Sequence, residues 1–287
     1  MKNSYIIRLS VMMLLIFSAN AAWCAEIQRK QPVASVSLGA EYSSGSYNSD
    51  STTRTIYVPM IASWYPDERL DISVEVPFIY QSSSQVTTSL YQNSAATSNS
   101  QTLARRGGPG GIITGTTSSA SSGSSSSVSG LGDIILRAGY ILFFEKSSLP
   151  QLRSSLFVKT PTASVSDGLG TGEFDFGGGF DLTKWFGELH LAGELLYNYQ
   201  GKVDGFGLKN YVSYTGMIGY QMTRYIQPML IIKGATAPST YSDDLLEARG
   251  RLLWDITPTT TIDLFASRGL SDSSPDYCGG IAVIYSF

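Results

Sequence analysis

The sequence predicts an all-β fold, a transmembrane antiparallel up-and-down β-barrel of about 12 strands with both termini in the periplasm. Three observations predict it. A secretory leader is followed by no other long apolar segment, short segments alternate apolar and polar side chains, and the last of them ends on the aromatic residue Phe287. A closed barrel pairs all its backbone polar groups internally, as lipid requires of a spanning β-structure.

The leader is typical of a secretory signal peptide: a basic start, an apolar run and small residues up to Ala21. Trp23 occupies the place where a small residue is needed for cleavage after Ala25, so we favour cleavage after Ala21. The same tryptophan precedes Cys24 and argues against lipid modification of that cysteine. The predicted organisation is a signal peptide (1–21), a periplasmic N-terminal segment (22–32) and a barrel (33–287).

The composition excludes several classes of protein. Charged residues make up 15% of the chain, against about 25% in ordinary soluble domains. The net charge of -3 gives no reason to expect a nucleic-acid partner. Two cysteines cannot form a disulfide framework or a clustered-thiol metal site, so the sequence predicts no cofactor and no metal.

The alternating segments locate the strands. We expect them near residues 33–43, 53–64, 69–81, 129–144, 151–162, 171–184, 188–200, 208–221, 225–236, 243–255, 259–269 and 277–287. Connections at residues 66–68, 223–224 and 257–258 are tight, whereas those after Tyr42, Tyr80 and Gly269 are longer. Tight turns of such barrels face the periplasm, and an even number of strands then places both termini there.

The final strand carries its large apolar and aromatic side chains on one face. These residues are Ile281, Val283, Tyr285 and Phe287. The pattern resembles the C-terminal signature of outer-membrane barrels, in which the terminal aromatic residue is part of what the barrel-assembly machinery recognises. The alternative is an edge strand of a soluble β-sandwich, which the aromatic terminus disfavours.

Aromatic residues recur at the ends of strands that we expect to run toward the periplasm. They are Trp64, Trp185, Trp254, Phe144, Tyr220 and Phe287. Rings with a polar edge are favoured at a membrane interface. The sequence therefore predicts a periplasmic aromatic girdle.

Alternation also assigns the two faces of each strand. Side chains predicted to face lipid include Phe174, Phe176, Phe180, Leu182, Leu189, Leu191, Leu195, Tyr197, Leu246, Ala248, Leu252 and Trp254. Those predicted to line the lumen and set its selectivity are Asp133, Arg137, Lys159, Glu173, Asp175, Asp181, His190, Glu194, Glu247, Arg249 and Arg251. Such charges either line a water-filled conduit or pair across the barrel and fill it, and both alternatives stay open.

The segment 82–128 is a low-complexity run of Ser, Thr, Gly and Asn, which cannot build a core. On this topology it is an outer loop, and the simplest interpretation is a surface segment. A second hypothesis is a gate, in which Arg105 and Arg106 fold inward against acidic lumen residues.

Two motifs indicate a family. Gly130-Leu131-Gly132-Asp133 is followed by an alternating strand and by Phe157-Val158-Lys159-Thr160-Pro161-Thr162, and the run 168–172 and Asp175 continue the pattern. This resembles the outer-membrane barrel family named after the meta-pathway of phenol degradation, with the specific part within residues 130–200. The resemblance implies a transporter of small, including aromatic, compounds, and it assigns no ligand-binding residues.

Three functions are therefore considered. The first is a channel for small solutes in the outer membrane of a Gram-negative cell, with membrane lipid, the assembly machinery and the solute as partners. The second is a structural or surface-binding barrel with a filled lumen. The third is a lipid-modifying enzyme, which a lone lumen histidine, His190, disfavours. Cys24 and Cys278 are predicted not to pair, because about 25 Å of apolar band would separate them.

Overall fold

The computed structural model of the chain describes residues 32–47, 52–82, 87–88, 116–117, 127–203 and 207–287. Residues 1–31, which include the predicted signal peptide (1–21), lie outside the described residues. The regular secondary structure of the described part consists of β-strands. No helix in that part is long and apolar enough to cross a membrane.

The strands follow one another along the chain with tight turns and longer loops between them. They are β1 (Ala34–Gly45), β2 (Thr53–Trp64), β3 (Leu70–Gln81), β4 (Thr87–Thr88), β5 (Thr116–Thr117), β6 (Val128–Leu131), β7 (Ile135–Phe143), β8 (Gln151–Lys159), β9 (Asp175–Phe186), β10 (Leu189–Tyr199), β11 (Tyr211–Tyr220), β12 (Ile226–Ala235), β13 (Leu245–Asp255), β14 (Thr260–Gly269) and β15 (Tyr277–Ser286).

Within the described residues, β1 to β3 and β7 to β15 form a closed antiparallel barrel of 12 strands, with β6 as an extra strand. Each strand pairs with its neighbours in the sequence, and β3 pairs with β7 across the long connection. The first and last strands close the barrel, with Ser35 opposite Ser286. The predicted barrel is confirmed, and β4 and β5 pair only with each other.

The strand predicted at 129–144 is interrupted, and Pro77 explains the interruption. β6 pairs with the end of β3 and β7 with its beginning, so the break at residues 132–134 lies opposite the middle of β3. Pro77 has no N–H to donate to a neighbouring strand. Its carbonyl still accepts a hydrogen bond from the Gly132 N–H, at 2.8 Å.

The two ends of the barrel differ in their connections. At the tight-turn end the connections are residues 65–69, 144–150, 187–188, 221–225 and 256–259. At the long-loop end they are residues 46–52, 82–127, 160–174, 200–210, 236–244 and 270–276. Val33 and Phe287 lie at the tight-turn end, where the Val33 N–H donates to the Phe287 carbonyl.

Asp67 organises one of the tight turns. Its carboxylate accepts hydrogen bonds from the backbone N–H groups of Arg69 and Leu70, at 2.6 and 2.9 Å. These two donors hold the pKa of Asp67 below its ordinary value. A lowered pKa means that the turn is stabilised at neutral pH and loses this contribution as the pH falls through the folded-state pKa of Asp67.

The outer surface of the barrel is apolar, as the alternation predicts. Alternate residues of each strand are exposed there, and on β12 the exposed side chain at mid-strand is Leu230, which is 72% exposed. Ile281, Val283, Tyr285 and Phe287 share this outer face on and just after β15. Their recognition by the assembly machinery stays a prediction.

Exposed aromatic residues gather at the tight-turn end, but two of the residues predicted for the girdle are not among them, and its position at a periplasmic interface stays a prediction. Trp185 continues the inward alternation of β9, and its ring stacks on His190 inside the barrel, with 4.2 Å between centroids. A β-bulge between Ile141 and Phe143 turns Phe143 outward, while Phe144 lies under the Arg69 guanidinium. The exposed aromatic residues at this end include Trp64, Phe143, Phe186, Tyr220, Tyr225, Trp254, Tyr285 and Phe287.

A charge on the outer face tests its contact with lipid. Leu230→Arg should lower the free energy of unfolding in lipid vesicles by about 2–4 kcal/mol, because the guanidinium would lie in the apolar band. Tyr241→Arg is the control, since Tyr241 is exposed in a long-loop-end connection, and it should change stability by less than about 0.5 kcal/mol. Equal effects of the two changes, measured by denaturant titration, would contradict a lipid-facing β12.

Candidate functional site in the barrel interior

The barrel interior is densely charged and buried. Nine of the predicted lumen residues are almost inaccessible to solvent: Asp133, Arg137, Lys159, Asp181, His190, Glu194, Glu247, Arg249 and Arg251. Asp175 begins β9 and is partly buried. Glu173 precedes β9 and is exposed, so it does not belong to this buried set. A role of the buried set in selectivity stays a prediction.

Further charged side chains face the barrel interior that were not predicted from the sequence. They are Glu41, Asp71, Glu75, Arg153, Lys233 and Asp263. The alternation of the sequence could have identified them. Arg153 and Lys159, for example, lie on the same face of one predicted strand. Three of the unpredicted residues are ion-pair partners of predicted residues: Glu75 pairs with Arg137, Arg153 with Asp181, and Asp263 with Arg251.

Arg153 links three strands at the tight-turn half of the interior. Its guanidinium binds both carboxylate oxygens of Asp71, at 2.9 and 2.7 Å, and one oxygen of Asp181, at 2.8 Å. Asp71 lies on β3 and Arg153 on β8, with β7 between them. Gly139 on β7 leaves the necessary space, because a Cβ there would lie 1.8 Å from the guanidinium. The ion pairs of Arg153 therefore require a residue without a side chain at position 139.

Gly139→Val should break this arrangement. The valine side chain would displace the Arg153 guanidinium and leave Asp71 and Asp181 without their partner, at a cost of about 3 kcal/mol. Gly216→Ala is the control, since a Cβ at Gly216 would meet no atom within 4 Å. Denaturant titration should show destabilisation by the first change and none by the second. A stable Gly139→Val barrel would contradict the role given to this glycine.

A second group of ion pairs lies on β13 and β14. Arg251 binds Asp263 through two hydrogen bonds, at 2.9 and 2.5 Å. Arg249 binds Glu247 on its own strand at 2.7 Å, and its guanidinium lies 4.0 Å from the centroid of the Phe265 ring. Paired charges of this kind satisfy one another inside the barrel.

Lys159, the last residue of β8, forms ion pairs next to the connection between β8 and β9. Lys159 lies 3.2 Å from Asp133 and 2.5 Å from Asp175, so it bridges the start of β7 and the start of β9. The other oxygen of Asp133 accepts a hydrogen bond from the Ala163 N–H at 2.9 Å. Gly170 packs against the same carboxylate, since a Cβ there would lie 3.1 Å from both of its oxygens.

The connection 160–174 folds into the barrel, and we call it the inward loop. Ala163 and Leu169 are buried in one apolar cluster with Tyr57 and Ile79, two inward residues of β2 and β3. Gly168 and Gly172 have positive φ values of 71° and 77°, a conformation that glycine adopts readily. The loop thus occupies part of the lumen at the long-loop end.

The inward loop differs from the gate considered from the sequence. Arg105 and Arg106 lie outside the described residues, so their hypothesis stays a prediction. The glycine-rich run 168–172 was recognised as a motif, yet nothing in its local pattern indicates that Leu169 packs against strands far away in the sequence.

A third polar group lies next to the inward loop. The Tyr57 hydroxyl donates a hydrogen bond to Oε1 of Glu75. Oε2 of Glu75 lies 2.7 Å from Nη1 of Arg137, and both side chains are at least 96% buried. Phe157 lies opposite Arg137 on β8, and Ile135 opposite Glu75 on β7. The polar group is therefore bordered by apolar side chains.

His190 occupies the tight-turn end of the interior. Its ring lies between the stacked Trp185 ring and Gln227, whose amide nitrogen is 3.3 Å from Nδ1. No group of His, Cys, Asp or Glu in the described part of the chain is arranged to hold a metal ion. Cys278 is a buried free thiol at the start of β15, and Cys24 lies outside the described residues.

The fold is similar to those of solved outer-membrane proteins. The COG4313 outer membrane channel from Pseudomonas putida F1 is 14% identical, with a TM-score of 0.60, and the match covers 92% of this chain and 100% of that one. NanC porin is 10% identical, with a TM-score of 0.54 and coverage of 88% and 100%. KdgM porin is 9% identical, with a TM-score of 0.50 and coverage of 88% and 99%. No curated protein matches the sequence.

The fold and the apolar outer face identify an outer-membrane β-barrel. A family model described as "Putative MetA-pathway of phenol degradation" matches residues 100–287, which include the extra strand β6, the inward loop and all strands from β7 onward. The match covers more than half of the sequence and confirms the resemblance of its motifs. The chain belongs to this family.

Proposed function

We propose that the chain forms an outer-membrane channel for small solutes and that the inward loop narrows its lumen. The observation that carries the proposal is the charged interior with a loop docked inside it through noncovalent contacts. A barrel with only a structural role could be filled with apolar side chains, which avoid the cost of removing charges from water. Family membership and the barrel fold support the same function.

The proposed solutes include apolar and aromatic compounds. Besides its charges, the interior contains apolar clusters, one formed by Ile135, Phe157 and Leu196 and another by Met217, Met229, Ile231 and Leu253. The family description names phenol degradation, and the similar solved structures are named a channel and porins. We assign no enzymatic role to His190, because its ring is enclosed by Trp185 and Gln227.

We also propose that the tight-turn end faces the periplasm and the long-loop end faces outward. The unequal lengths of the connections support this orientation. Both termini would then be periplasmic, and the inward loop would narrow the lumen from the external side.

A filled structural barrel is the second candidate. The observation in its favour is that buried pairs such as Arg251 and Asp263 satisfy each other with close hydrogen bonds. Such pairs would resist the rearrangement that opening requires.

Solute permeation separates the two candidates. The mature protein refolded into liposomes should make them permeable to small neutral solutes, as measured by liposome swelling. Liposomes with heat-denatured protein are the control. A folded barrel that leaves the liposomes impermeable to all solutes tested would contradict the channel and favour the filled barrel.

A further inference from the structure

We infer that Arg137 and Glu75 form a binding site for the hydroxyl group of a small, neutral, otherwise apolar molecule. The inference rests on the proposed channel function and adds a specific site and a specificity to it. The site lies inside the barrel beside the inward loop.

Arg137 and Glu75 retain unused hydrogen-bonding capacity. Among the described residues, none of the three guanidinium nitrogens of Arg137 has a hydrogen-bond partner of acceptable geometry, and neither has Oε2 of Glu75. The two groups are close enough for an ion pair, but their orientation leaves the guanidinium donors and the Oε2 acceptor without a hydrogen bond. Buried polar groups in this state are costly and require an explanation.

Other interior arginines show that the fold can supply a buried guanidinium with well-aligned hydrogen bonds. Arg153 makes three hydrogen bonds to two carboxylates. Arg251 makes two to Asp263. Arg137 is as deeply buried as these residues, so its free donors are a property of this location.

Apolar walls lie on two sides of the site. Ile135, Phe157 and Leu196 form one buried cluster on β7, β8 and β10. Tyr57, Ile79 and Leu169 belong to the other, which includes the inward loop. A ligand at Arg137 would therefore place an apolar body between these clusters and its polar group on the guanidinium.

The available donors and acceptor select a neutral hydroxyl group. Its oxygen accepts a hydrogen bond from an Arg137 N–H, and its proton is donated to Oε2 of Glu75. An anionic group would accept from Arg137 but would be repelled by the Glu75 carboxylate. A hydrocarbon would leave the donors and the acceptor unsatisfied. A site that hydrogen-bonds a hydroxyl group therefore binds the analogue without this group much more weakly.

Three probes of similar size test the inference: benzyl alcohol, toluene and benzoate. Their binding to the refolded mature protein is measured by calorimetry in detergent. Benzyl alcohol should bind at least about tenfold more tightly than either of the others, because hydrogen bonds to charged groups contribute that much. The double variant Arg137→Met with Glu75→Gln removes both charges together, which keeps the barrel foldable, and it should abolish the preference.

Arg224→Met is the matched control, because Arg224 is exposed in a tight turn, and it should leave the preference unchanged. Equal binding of the three probes, or a preference that survives in the double variant, would overturn the site and indicate that water alone satisfies Arg137. Liposome swelling on the same preparations separates this failure from failure of the channel. Permeable liposomes without a hydroxyl preference would refute only the site, whereas impermeable liposomes would refute the channel.

Discussion

Arg153→Met is expected to lower the free energy of unfolding of the barrel by about 3–5 kcal/mol. The change leaves Asp71 and Asp181 without their shared cation, and Asp181 is only 1% exposed. An unpaired buried carboxylate costs far more than the lost contact itself, since it can neither be hydrated nor neutralised by a neighbour. Reversible denaturant unfolding in lipid vesicles, followed by tryptophan fluorescence, measures the effect.

Two further variants separate charge from packing. Arg153→Met combined with Asp71→Asn and Asp181→Asn removes the unpaired charges and should recover most of the lost stability. Arg224→Met removes an exposed cation from a tight turn, and it should cost less than about 1 kcal/mol. A similar loss in all three variants would show that the Arg153 ion pairs contribute little.

Shortening the inward loop is expected to give the largest functional effect. Replacing residues 163–171 with a short Gly-Ser linker removes Ala163 and Leu169 from the apolar cluster with Tyr57 and Ile79. Single-channel conductance in planar bilayers should rise several-fold, because the lumen at the long-loop end loses the segment that occupies it.

The matched comparison is a variant that lacks residues 89–115 of the Ser-rich connection. If the inward loop is the main constriction, this deletion should change the conductance much less than the shortened inward loop does. A larger current from the Ser-rich deletion would instead support the hypothesis that Arg105 and Arg106 form a gate. Unchanged conductance in both variants would show that neither loop limits the current.

The strands and their faces could be predicted because they depend on local alternation. The strand from Thr53 to Trp64 agrees with the prediction residue for residue. The same alternation, applied from Asp181 onward, places Trp185 inside, so the error in the girdle came from weighing residue type above position. The β-bulge that exchanges Phe143 for Phe144 has no comparable local signal.

The interior could be predicted only in part, because its geometry depends on contacts between distant segments. Alternation placed Arg137 inside, yet only the structure shows Glu75 beside it and Phe157 opposite. The position of the inward loop could not be predicted for the same reason. Its glycines are visible in the sequence, whereas the docking of Leu169 depends on Tyr57 and Ile79, which lie on β2 and β3, far from the loop in the sequence.

A reversible disulfide between the inward loop and β3 tests whether the inward loop controls conduction through the barrel. Ile79→Cys and Leu169→Cys, in a chain whose own cysteines are replaced by serine, place a thiol on each side of the contact between the loop and β3. Single-channel currents are recorded in planar bilayers under oxidising conditions and again after reduction. We expect low, steady conductance while the disulfide holds the loop, and larger openings after reduction. Identical currents in the two states, with the disulfide verified by mass spectrometry, would contradict control of the channel by the inward loop.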